Sequence, residues 1–142
     1  MNLFIDTHLN DIVIILFDNN NKIIKKETVI GIKENSKYIM PTITKVLDGK
    51  MPTSVAVVNG PGSFTGVRLG VTIAKTFAYT LNIPIKCITT LECLAVSSIK
   101  TGVSIAFNDK NGYYIGKFNN EYKVVGDYNY LSNEQFEEYK LN

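Results

Sequence analysis

A chain of 142 residues, 45% hydrophobic and 20% charged, has room for one ordinary domain, or for one domain and the start of another. Its net charge of +2 is too small to imply nucleic-acid binding unaided, because the lysines are scattered and form no stripe. No apolar run reaches membrane-span length, no signal-like segment precedes the first strand, and Cys87 and Cys93 lack metal-ligand spacing, so a cytoplasmic protein is expected.

"NLFIDT" reads as a short apolar strand and "DIVIILFD" as a second, rich in β-branched residues. "NNNK" is a polar turn, after which "IIKKETVI" is a third strand of an antiparallel meander. A first helix is predicted over 35–48, where Ile39, Ile43, Val46 and Leu47 mark one apolar face. Pro41 should shorten or bend its first turns, and Gly49 is a natural stop. "TSVAVV" is apolar throughout, as in a strand buried on both faces.

The second helix is expected over 65–81, with Val67, Val71, Ala74, Ala78 and Leu81 inward and Ser63 or Thr65 as its cap. "IPIKCIT" is a fifth strand, and "TTLECLAVSSI" a third helix capped by Thr90. From residue 101 the pattern changes to "VSIAF", "YYIGKF" and "YKVVGDY", short strands separated by turn residues. "SNEQFEEY" carries a capping-box pattern at Ser132 and Gln135 and should close the chain as a helix.

The order β-β-β-α-β-α-β-α is that of an α/β ribonuclease H-like unit, found twice in the actin and Hsp70 superfamily (the ASKHA fold). We therefore expect an N-terminal lobe over 1–99 and a truncated second lobe, a β-meander plus a C-terminal helix, over 100–142.

Gly60, Pro61, Gly62, Ser63, Thr65 and Gly66 form a glycine-rich entry to the second helix. A P-loop would need a lysine after the last glycine of G-x-x-x-x-G, and Gly66 is followed by Val67. The dinucleotide fingerprint is G-x-G-x-x-G, whereas these glycines read G-x-G-x-x-x-G. The helix N-terminus still offers amides to an anion. Arg68, the single arginine among 15 basic residues, follows at once, and its planar fork of donors is one that lysine cannot copy.

Catalysts are sparse. Asp6 stands where a two-metal nuclease would place a carboxylate, but the fourth strand ends in Asn59, so Asp6 and Thr7 are expected to tie down the first turn. Ser63 lies in a strand-to-helix loop, yet the G-x-S-x-G frame is shifted by one and no histidine follows it. His8, the sole histidine, excludes a multi-histidine metal site. A different pattern stands out: Gly66, Gly70, Ala74 and Ala78 recur every four residues. Such a flat stripe lets another backbone approach, from a partner or from the helix's own sheet. Leu69, Ile73, Thr76 and Tyr79 are expected beside it as an exposed, partly apolar face.

At "NGPGSFTGVRLG", residues 59–70, the chain resembles the bacterial tRNA threonylcarbamoyladenosine biosynthesis protein TsaB family. The likeness extends to "LFIDT", "SKYIMPTITKVL", "IAKTFA" and "ITTLECLA", and more loosely to "IAFNDKNGYYIGKF". It implies a catalytically inactive member of the Hsp70–actin-like superfamily, with no cofactor or metal. Its partner would be the TsaD transferase that modifies adenosine 37 of tRNA, joined by the TsaE ATPase. It would reach tRNA only through that complex, without a membrane, and can form homodimers. The partner contacts implied are Ile39 and Ile43 on the first helix and Gly66, Leu69, Gly70, Ile73, Ala74 and Phe77 on the second. On that reading Gly70→Leu or Ala74→Arg would block the complex and leave the chain folded. The chain departs from the family at Asn35-Ser36 (commonly histidine-serine), at Asn108-Asp109-Lys110 (usually Asp-Ala-Arg), and in its shorter length. The alternative is a small-molecule kinase or nucleotide-binding enzyme on the same superfold, which would need a second phosphate loop and an aspartate in the second lobe.

Overall fold

Residues 1–31 and 34–141 are described by a computed structural model, in which the side chain of Asn35 is left out. The chain divides into two compact units, Met1–Ile88 and Thr89–Asn142.

In the first unit, β1 (Asn2–Asp6), β2 (Ile12–Phe17) and β3 (Ile23–Val29) form the expected antiparallel meander. β4 (Ser54–Val58) and β5 (Ile85–Ile88) then add in parallel on the far side of β1, for a sheet order of β3-β2-β1-β4-β5. The register sets Leu3 beside Leu16 and Val55, and Ile5 beside Ile14 and Val57. Period-2 alternation puts all six side chains on one face, where they are completely or almost completely buried.

Two helices cover that face. A 3₁₀ turn at Asn35–Lys37 precedes α1 (Ile39–Leu47), which contributes Ile39, Ile43, Val46 and Leu47 to the core. Pro41 sits in the first helical turn, where its missing N–H costs nothing because those amides have no intrahelical acceptor. α1 ends as Asp48 and Gly49 both turn left-handed, at φ 50° and 78°. α2 (Phe64–Leu81) is capped by Ser63, whose Oγ accepts the Gly66 N–H at 3.3 Å.

In the second unit, α3 (Thr90–Ser97) precedes β6 (Ser104–Asn108), β7 (Gly112–Lys117) and β8 (Asn129–Ser132), and α4 (Asn133–Leu141) follows them. α3 groups here and not in a lobe ending at residue 99, because Leu91 and Ala95 bury against Phe118, with Ile105, Phe107, Tyr114 and Tyr122 around them. The cap of α3 is Thr89 and not Thr90. Thr89 stands three residues before Glu92, and the two exchange the reciprocal bonds of a capping box. The third strand of the meander also lies later than expected: Tyr122 and Gly126 take positive φ and interrupt the run 122–128, leaving one isolated bridge between Phe118 and Val124. The capping box at Ser132 and Gln135 forms as read.

Candidate functional site

The glycine-rich entry to α2 closes onto the turn after β1. Gly60 has φ +100° and leads into Pro61. The Ser63 N–H then donates to the His8 carbonyl at 2.6 Å. A Cβ on Gly62 would stand 2.2 Å from that same oxygen, so only glycine lets the two backbones meet. Thr7, fully buried, donates through Oγ1 to the Gly66 carbonyl at 2.6 Å. The Ser63 and Gly66 amides are thus used inside the chain, and these glycines serve close packing.

The small-residue stripe faces the same way. Gly66, Gly70 and Ala74 are the buried residues of α2, and a Cβ on Gly70 would lie 2.3 Å from Thr7 Oγ1 and 3.8 Å from Ile5 Cγ2. The stripe therefore lets α2 approach β1 of its own sheet. Ile39 and Ile43 are equally enclosed. These five expected partner contacts are core in this chain, and Gly70→Leu or Ala74→Arg would disrupt the fold first. Leu69, Ile73 and Phe77 are half-buried at the edge of that core.

Ile73 and Phe77 line a groove of about 280 Å³, with Met40 from α1, Met51 from the loop after it, and Thr76, Thr80 and Leu81 from α2. Met40 is 45% and Met51 61% exposed, and Tyr79 on the neighbouring ridge of α2 is 91% exposed. Accessible apolar side chains thus cluster around a concavity, an arrangement that contact surfaces commonly use. Sequence reasoning missed Met40 and Met51, because only the tertiary structure brings the loop after α1 beside the last turns of α2. At the other end of α2, Thr65, Arg68 and Leu69 surround a second pocket with Phe64 and Thr72, and the Arg68 guanidinium lies 4.9 Å from the centre of the Phe64 ring.

Asp6 does tie down the first turn, accepting the His8 N–H at 3.1 Å and pairing with His8 Nδ1; Thr7 reaches across to α2 instead. Among the described residues, no group of three or more His, Cys, Asp or Glu is placed to hold a metal ion. In the second unit, Asp109 Oδ1 accepts the Asn111 and Gly112 amides and the Tyr130 hydroxyl. The Asn111 amide is the strongest influence holding this carboxyl below its ordinary range.

The family described as "TsaD: tRNA N6-adenosine threonylcarbamoyltransferase" matches over residues 22–131. The chain belongs to this family. Within it the chain is TsaB-like. It is 41% identical over 86 residues to the tRNA threonylcarbamoyladenosine biosynthesis protein TsaB of Bacillus subtilis, covering 53% of this chain and 38% of the relative. It is 36% identical over 109 residues to TsaB of Buchnera aphidicola subsp. Schizaphis graminum, covering 66% and 52%. The chain thus spans between about a third and a half of these curated relatives. Two solved structures share the fold at 20% identity: YeaZ from Pseudomonas aeruginosa, with a TM-score of 0.80 over 94% of this chain and 70% of the other, and a protein with similarity to peptidase YEAZ from Pseudomonas aeruginosa, at 0.81 over 94% and 67%. The α/β ASKHA-like architecture read from element order is therefore the observed one. No helix among the described residues is long and apolar enough to cross a membrane.

Proposed function

We propose that this TsaB-like chain acts in tRNA threonylcarbamoyladenosine biosynthesis as a non-catalytic scaffold that docks a TsaD-like transferase through the groove between α1 and α2. The groove itself carries the proposal: apolar side chains from two helices and a loop are left accessible around a concavity, with Tyr79 beside it. Membership of the TsaD family and the TsaB names of the relatives supply the partner class. A scaffold role accords with what the candidate catalysts do, since the Asp6 carboxylate is held by His8 and the Ser63 hydroxyl caps α2. A TsaE-like ATPase, and tRNA through the complex, complete the assembly on this reading. A second copy of the chain competes for the same face.

Co-purification with the TsaD-like transferase of the same organism tests the proposal. Met51→Glu places a charge in the groove at a position 61% exposed, and it is expected to weaken the complex at least about tenfold with an unchanged circular dichroism spectrum. Absence of a complex with the unmodified chain, or full affinity in Met51→Glu, refutes the reading.

A further inference from the structure

The charges around the groove say what kind of surface covers it. The nine residues of α1 and the eighteen of α2 include Lys45, Arg68 and Lys75 and no carboxylate. This is unusual at helix N-termini, where the macrodipole favours acids. α3 and α4 follow that preference with Glu92 and Glu134 in their first turns, whereas α1 and α2 have none. Carboxylates beside α1 pair with lysines of the chain itself: Glu27 with Lys45 at 3.0 Å, Asp48 with Lys25 at 3.8 Å and Glu34 with Lys37 at 2.5 Å. Arg68 and Lys75 are exposed, and among the described residues neither has an ion-pair partner.

Arg68, Thr72, Lys75 and Tyr79 recur along one outward ridge of α2, which borders the groove at Thr76. The Phe64 ring under the Arg68 guanidinium reduces the freedom lost when that fork binds a carboxylate. We infer that the partner face seated on this groove continues along the ridge toward the first turns of α2 and is acidic there, with Asp or Glu side chains facing Lys75 beside the apolar groove and Arg68 at the far end of the helix. This rests on the proposed docking of a TsaD-like transferase and adds its chemistry. Nucleic-acid phosphates would also meet these two cations, but the adjoining apolar groove favours a protein face.

The test measures association kinetics between the full chain and the transferase at about 50 mM and about 500 mM salt, across which screening rises steeply. The unmodified chain should associate about tenfold more slowly at the higher salt. Arg68→Glu/Lys75→Glu should associate about tenfold more slowly than the unmodified chain at low salt, and the two should converge at high salt. Circular dichroism verifies that both are folded. Rates unaffected by charge reversal, or raised by it, overturn the inference and leave the docking reading standing. Unchanged transferase binding with lost retention of tRNA assigns the ridge to RNA and also overturns it. If the unmodified chain does not associate at all, both readings fall.

Discussion

Replacing Gly70 by alanine tests the claim that the small-residue stripe seats α2 on its own sheet. An isolated helix would gain about 1 kcal/mol from the change, because alanine is the better helix former. Here the added Cβ would lie 2.3 Å from Thr7 Oγ1, which itself donates to the Gly66 carbonyl at 2.6 Å and is fully buried. Making room requires α2 to lift from β1, at an overpacking cost of about 1–3 kcal/mol, and Thr7 to rotate away with its buried hydroxyl unbonded, at a further 1–3 kcal/mol or so. Set against the propensity gain, the expected net destabilisation is about 1–5 kcal/mol, centred near about 3 kcal/mol. Thermal melts followed by circular dichroism should then show a fall in Tm of roughly 10 °C. Thr7→Ala removes the obstructing oxygen, so the double variant should be less destabilised than the sum of the singles by about 1 kcal/mol or more. A Gly70→Ala protein as stable as the original, or more so, would refute the packing argument and return the stripe to the surface.

Gly62→Ala should be worse tolerated than Gly70→Ala, because its Cβ would meet a backbone oxygen, that of His8, at 2.2 Å. We expect a loss of about 3 kcal/mol or more by urea unfolding, and a loss under about 1 kcal/mol would contradict so close an approach of loop and turn. In the second unit, the Asp109 carboxyl titrates below its ordinary range, chiefly through the Asn111 amide. A depressed folded value means its contribution is full above the ordinary aspartate range and is lost as pH falls through the lowered value. NMR titration of the carboxyl should show this. Tyr130→Phe removes the hydroxyl donor and should move the value upward, while no movement would discount that bond.

Much of the architecture is legible before folding because its causes are local. The β-branched run in "DIVIILFD", the apolar run 53–58, the turn at 48–49 and the Ser132/Gln135 box each follow from backbone preference within a few residues, and each lies where it was expected. Local signals also fail locally: Thr89 displaces Thr90 as a cap because the spacing to Glu92 decides, and β8 falls beyond 122–128 because Tyr122 and Gly126 turn left-handed.

Which side of α2 meets its sheet is another kind of question. The recurrence of Gly66, Gly70 and Ala74 announces a close approach but not the identity of the approaching backbone, since both possible neighbours demand the same small residues. Thr7 and Ile5, some sixty positions away along the chain, answer it. Once those small residues turn inward, the larger ones on the flank of α2, Ile73 and Phe77, are left to line the groove with Met40 and Met51. Periodicity assigns a residue to a face of its own helix, and only packing decides whether that face ends up in the core or at the surface.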